Sequence, residues 1–158
     1  MFDWASSVRP LRLSDAVDLQ KNCYPEHRLA EVRDYAQWCI LQMDKGRMVR
    51  LVVEAGGEVV ANGQLTLHPV CSEIGSLLVS SAFRRKGVGT ALLEALVAEA
   101  HKRRVRTIEV MASSEAAWLQ EWYRRQGFAD YGEKILPGDE RVAVLRRSLS
   151  LIENEVSS

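Results

Sequence analysis

An apolar strand-like run, a short basic loop and an apolar helical run follow one another around Arg84-Arg85-Lys86-Gly87-Val88-Gly89-Thr90, and this order constrains the fold more than any other feature. Residues 73–79 end the apolar run on Val79. Ala91, Leu92, Leu93, Ala95, Leu96, Val97 and Ala100 then recur at helical period, which places the two glycines at a helix start. The first turn of a helix has N–H groups without intrahelical partners and carries the positive end of the dipole, so it receives anions. Glycine there lets a ligand come close to the backbone. The pattern predicts a phosphate cradle. It is neither a P-loop, which needs Gly-x-x-x-x-Gly-Lys-Ser/Thr, nor a dinucleotide fingerprint, which needs Gly-x-Gly-x-x-Gly and a later acidic residue.

The segment resembles the acetyl-CoA motif of the GNAT superfamily of N-acetyltransferases, Gln/Arg-x-x-Gly-x-Gly/Ala after a hydrophobic strand that ends in valine. Downstream, Tyr123-Arg-Arg-Gln-Gly127-Phe128 resembles the superfamily's Tyr-x-x-x-Gly-Phe segment, with Gly127 suited to end a helix in left-handed geometry and Phe128 to re-enter the core. The likeness is specific over residues 73–128 and looser over nearly the whole chain. It implies an α/β (α+β) fold, a mixed central sheet of about six or seven strands with a splayed parallel pair and about four flanking helices.

Local signals give the same order. Residues 7–11 read as a strand, Ser14 and Asp15 as the cap of a first helix, and Tyr24-Pro25-Glu26-His27 as its break. A second helix over 29–43 precedes strands over 47–54 and 58–67, joined at Gly56-Gly57, a two-residue hairpin turn. A strand at 105–111, a helix at 116–126 and a terminal hairpin turning at Pro137-Gly138-Asp139 complete the chain.

The resemblance assigns chemistry to particular residues. Acetyl-CoA would be the co-substrate, with its pantetheine arm entering the splay and hydrogen-bonding the backbone of Leu77, Leu78 and Val79. An N–H near Val79 would polarise the thioester carbonyl. The N–H groups of Arg85, Lys86, Gly87, Val88, Gly89 and Thr90 would hold the pyrophosphate, with the side chains from Arg84 to Lys86 adding charge. Tyr123 matches the tyrosine that protonates the departing thiolate. Glu73 lies eleven positions before Arg84, the offset of the glutamate base in histone-modifying members. Glu109 is a weaker rival. A lysine-like amine, with a pKa of about 10.4, needs such a base at neutral pH. Members often carry a pantetheine-binding asparagine seven residues before the tyrosine; here that position is Ala116, and Ser113 or Ser114 would have to substitute.

The acceptor is an amine of unspecified identity on a small molecule or a protein. Residues 24–33 fall where the superfamily builds its acceptor wall, and over 24–34 Glu26, Glu31 and Asp34 beside Tyr24 and Tyr35 would suit a cationic amine. A solvated helix face accounts for the same residues. His27, His68 and His101 are read as isolated surface or loop histidines.

Composition narrows the rest. A length of 158 residues suits a single domain over 1–158, burying roughly two thirds of its unfolded surface. The formal net charge is zero, so neither nucleic acid nor an anionic membrane is taken as a partner; a homodimer stays open. Arg84-Arg85-Lys86 belongs to the cradle, and Lys102-Arg103-Arg104 reads as a solvated helix end. Cys23, Cys39 and Cys71 have no metal-ligand spacing and suit a reducing compartment, and the N-terminus has no signal-peptide pattern, so the chain is read as cytoplasmic. Two alternatives stand beside the acetyltransferase: a catalytically silent acyl-CoA-binding sensor module, and a nucleic-acid-associated protein using its arginines.

Overall fold

The computed structural model describes residues 3–149. Seven strands and four α-helices follow the order expected from the sequence: β1 (Val8–Pro10), α1 (Ala16–Asn22), α2 (Leu29–Asp44), β2 (Met48–Ala55), β3 (Glu58–Thr66), β4 (Ser72–Val79), α3 (Val88–Lys102), β5 (Thr107–Ser113), α4 (Ala117–Arg125), β6 (Ala129–Leu136) and β7 (Glu140–Ser148). The strands form one sheet in the order β1-β2-β3-β4-β5-β7-β6, antiparallel except for β4 and β5. Gly56 and Gly57 both have positive φ, 59° and 84°, the conformation that a two-residue turn needs to match strand twist.

One local expectation is corrected. Asp15 does not cap α1 with its side chain. Its carboxylate instead takes Arg9 Nη1 and Nη2 at 2.9 and 2.7 Å and the Arg12 N–H at 2.7 Å, tying β1 to the helix entry. Paired, charge-assisted bonds from a guanidinium are stronger than those from neutral donors, and here they fix the carboxylate toward β1.

Each sheet face has its own core. On one face Val88, Leu92, Leu93, Leu96, Val97 and Ala100 of α3 pack on Val49, Leu51, Ala61, Leu65, Ile74, Ile108 and Val110. Leu92 and Leu96 are fully buried, and each contributes roughly 1.5–3 kcal/mol by burial, which pins α3 and hence the loop before it. On the other face α1 and α2 bury Leu19, Val32, Ala36 and Cys39 against Met48, Val52 and Val59.

A bulge in β4 reorganises the sheet centre. Gly75 faces Gln64 and Leu78 faces Asn62, so Ser76 and Leu77 together oppose the single residue Gly63. Ser76 takes a left-handed φ of 54° to accommodate the extra residue. The inward side chain therefore moves from Ile74 to Leu77, which packs on the α3 side, while Leu78 packs on the α1–α2 side.

Candidate active site

Beyond Glu73, ahead of the bulge, β4 leaves its parallel neighbour. The two strands pair at Ser72 with Ile108 and at Glu73 with Glu109. Along its other edge β5 pairs with β7 from Thr107 to Ser113, but toward β4 it pairs no further than Glu109. The edge of β4 beyond Glu73 thus faces a gap. Ser80 donates its N–H to Val60 O at 2.8 Å, so by strand alternation Leu78 turns its backbone groups to β3, and Leu77 and Val79 turn theirs to the gap. Backbone groups at an open sheet edge need partners, and an extended ligand with amides supplies them.

The cradle closes one end of this gap. After a short 3₁₀ turn (Ser81–Phe83), Arg84 folds back and donates Nε–H to Val79 O at 3.1 Å. Arg85 and Gly87 have positive φ of 62° and 87°, reversing the chain into α3. Ala91 N–H is the first to bond within the helix, to Gly87 O at 3.1 Å. No side chain caps α3, so its leading N–H groups, from Val88 to Thr90, are the ones a helix leaves to other partners. The Val88 side chain is buried in the core, so only its backbone can serve a ligand. Gly89 lies at the mouth: a Cβ there would stand 3.7 Å from Val79 Cγ2 and 3.9 Å from Trp122 Cζ2.

Tyr123 projects from α4 into the α3-side core, 4% exposed, against Trp122 and Phe128 with ring centroids at 5.1 and 5.7 Å. The helix ends as the sequence predicts: Gly127 has φ 92°, and Phe128 N–H bonds Tyr123 O at 3.1 Å. Among the described residues Asn62 Nδ2 is the only sealed side-chain polar atom without a hydrogen bond. The unpartnered Tyr123 phenol therefore opens at its tip. Burial pushes its pKa up to about 12, because a phenolate is poorly solvated there, so at neutral pH it is a proton donor.

Glu73 lies on the opposite sheet face, across from Thr66 of β3. A Cβ at Gly75 would come within 3.5 Å of Glu73 Oε1, so the carboxylate lies over Gly75 and toward the bulge. Glu109, the rival base, is already engaged: Lys134 Nζ is 2.8 Å from Oε1 and Arg146 Nη2 is 3.0 Å from Oε2. Its burial favours protonation, but the two cations outweigh that and hold its pKa below the usual value, which makes it a poor proton acceptor. Ser114 is exposed just beyond β5, its N–H bonded to Arg141 O at 3.0 Å. The Ser113 hydroxyl accepts the Glu115 N–H at 3.3 Å, so it serves the turn.

On the Glu73 face, α1 and α2 wall a cavity of about 370 Å³ lined by Tyr24, His27, Glu31, Tyr35, Arg50 and Ser76 among others. The acceptor segment is there in part: Tyr24, Glu31 and Tyr35 line the cavity, whereas Asp34 is exposed and does not. Glu31 is already paired with Arg28 at 2.8 Å and His27 at 3.5 Å. Ser76 connects this cavity to the bulge and so to the start of the gap.

A profile of the Acetyltransferase (GNAT) family matches residues 13–128. The chain belongs to the GNAT acetyltransferase family. Its fold is shared by the ribosomal-protein-alanine N-acetyltransferase from Brucella melitensis, with 23% identity, 90% of this chain and 99% of that one covered, and a TM-score of 0.75. The ribosomal L7/L12 α-N-protein acetyltransferase RimL in complex with coenzyme A gives 17% identity, coverages of 94% and 98%, and a TM-score of 0.80. The PaiA N-acetyltransferase from Thermoplasma acidophilum in complex with coenzyme A gives 12%, 90% and 98%, and 0.68. At these identities the likeness is one of fold. No curated protein matches the chain.

Two parts of this GNAT site escaped the sequence reading. Trp4 donates Nε1–H to Lys86 O at 2.9 Å and meets Phe83 edge-on at 6.2 Å, so the N-terminal segment buttresses the cradle. Arg50 lies 2% exposed within β2. The available signal for it was an arginine inside the otherwise apolar run Val49–Val53, with Asn62 and Gln64 on the next strand. No helix among the described residues is long and apolar enough to cross a membrane.

The glycines separate folding from binding. Gly87 needs its positive φ, whereas the backbone of Gly89 is helical and a Cβ there makes ordinary contacts. Gly89→Val should therefore stay folded yet lose the thermal stabilisation that coenzyme A gives the parent protein. A folded variant with full stabilisation would remove the cradle assignment.

Proposed function

We propose that the chain, as one GNAT domain, transfers the acetyl group directly from acetyl-CoA held between β4 and β5 to an amine delivered from the α1–α2 cavity. The supporting observation is the parallel pair that stops after Glu73, leaving Leu77 and Val79 to face a gap with the α3 N-terminus at its mouth. Glu73 takes a proton from the incoming ammonium, and the neutral nitrogen attacks the thioester carbonyl. The Val79 N–H stabilises the oxygen, where charge develops. A C–N bond forms and the C–S bond breaks. Glu73 passes the first proton to solvent and then takes the second nitrogen proton by the same route, the thiolate takes the Tyr123 proton, and the phenol is reprotonated from water. The products are the N-acetylated amine and free coenzyme A. Ser114 stands at the β5 side of the mouth, where Ala116 offers no polar side chain. In the cytoplasm, acetyl-CoA is available to such a site.

Free-thiol release from acetyl-CoA over a panel of amines tests the reading. Binding of acetyl-CoA without release for any amine would favour a silent acyl-CoA sensor. Glu73→Gln should remove the neutral-pH plateau and make the rate climb with pH toward the amine's own pKa, about 10.4 for a lysine-like acceptor. A parental pH profile in that variant would take Glu73 out of the mechanism.

A further inference from the structure

Arg50 is a buried cation whose partners are all neutral. Nε–H and one Nη2–H reach Asn62 Oδ1, the other Nη2–H reaches the Tyr24 hydroxyl at 3.0 Å, and Nη1 reaches Gln64 Oε1 at 2.6 Å and the Tyr35 hydroxyl at 3.2 Å. Its guanidinium also lies 5.1 Å from the Tyr35 ring centroid. No carboxylate among the described residues forms an ion pair with it, and the cavity's own Glu31 is held by Arg28 and His27. By contrast Arg9, also largely buried, is matched by Asp15 and Glu54 at 2.7 and 2.6 Å. Removing a charge from water without a counter-charge is costly, and it is sustained where a ligand brings the missing charge.

The position of Arg50 says what that ligand must be. Arg50 pairs with Gln64, and Gln64 with Gly75, so the three form a row across the sheet that ends beside the β4 bulge. Two strand spacings, roughly 10 Å, separate Arg50 from the place where Ser76 lines the same cavity and Glu73 folds over Gly75. Among the described residues the Tyr35 hydroxyl makes the longest polar contact to Arg50, and its residue is 45% exposed. It is the neutral acceptor that an incoming anion can replace, keeping its own O–H to donate to that anion.

Building on the transfer reading above, we infer that the acceptor is a small amine that also carries a carboxylate, held by Arg50 Nη1 and the Tyr35 phenol while its amine points to Glu73 and the thioester. This revises the sequence expectation of a site for simple cations: the uncompensated charge in the cavity is positive.

Matched acceptors test it: free amino acids and other amino-carboxylates of differing length, each against its carboxamide, assayed for thiol release with saturating acetyl-CoA. The parent protein should favour at least one carboxylate over its amide by about tenfold or more in kcat/KM, and Arg50→Met should collapse that ratio toward one by raising the carboxylate's KM by about the same factor. Arg50→Lys, which keeps the charge without the fork, should retain part of the preference. Equal use of carboxylates and amides by the parent, or the same ratio in parent and Arg50→Met, would overturn the inference while leaving acetyl transfer intact. A second readout does not need turnover or a foldable variant. N-acetylated carboxylates should raise the Tm of the parent protein in the presence of coenzyme A, and their amides should not. If that difference appears while no amine is acetylated, the anion site stands and the transferase reading falls. If neither carboxylate nor amide shifts Tm, the anion site falls.

Discussion

Tyr123→Phe is expected to lower kcat by about 10²-fold or more, with the KM for acetyl-CoA and the thermal midpoint close to those of the parent protein. The substitution removes one oxygen from a ring that keeps its packing on Trp122 and Phe128. Among the described residues no group hydrogen-bonds that oxygen, so little folding free energy goes with it. On the proposed mechanism, what disappears is a proton held in place for the departing thiolate. Because burial raises the phenol's pKa to about 12, the parent's rate should hold past pH 10, where an ordinary tyrosine titrates. It should fall only as the folded-state pKa is approached. A Phe variant with parental kcat would return Tyr123 to a packing role.

Residues near one another in the chain, with strong local rules, made the elements of the proposed cofactor side legible. Arg84 to Thr90 sit between a strand and a helix, and Gly127-Phe128 ends α4 with a backbone geometry that few residues other than glycine accept. Each needs only a few consecutive residues to be recognised, and the structure places them as expected. The splay was legible only through resemblance, since pairing between β4 and β5 depends on residues more than thirty positions apart.

The proposed acceptor side was legible only in part because the residue inferred to decide it, Arg50, depends on tertiary context. Residues 24–35 announce polar and aromatic groups, and Tyr24, Glu31 and Tyr35 do line the cavity. Which charge rules there depends on Arg50, which lies in β2, and on its neutral partners in β3. Asp34, equally acidic in the sequence, points elsewhere, and Glu31 is spent on its own neighbours. Trp4 was illegible for the same reason: its partner, Lys86 O, is 82 positions away.

Gly63→Val is expected to destabilise the fold and to weaken acetyl-CoA binding further than the lost stability explains. A Cβ at Gly63 would lie 2.7 Å from Leu77 Cδ2, 3.2 Å from Leu96 Cδ1 and 3.3 Å from Leu92 Cδ2. Leu92 and Leu96 are fixed in the core by α3, so Leu77 is the group that must move. Leu77 reaches this spot because the bulge at Ser76 turned it inward, and its backbone is part of the edge that faces the gap. Overpacking of this kind costs about 1–3 kcal/mol, and at this chain length each kcal/mol lowers Tm by roughly 2–4 °C. The coupling to the cofactor is the sharper expectation: displacing Leu77 shifts the edge that ends at Val79, so stabilisation by acetyl-CoA should drop in the part of the population that stays folded. Gly63→Ala should show a milder form of both effects. Adding Leu77→Ala to it should restore acetyl-CoA binding more than either single change predicts, because the two side chains compete for one volume. Additive losses in that double variant, or a Gly63→Val protein with parental Tm and acetyl-CoA affinity, would show that the bulge is held by something other than the empty space at Gly63.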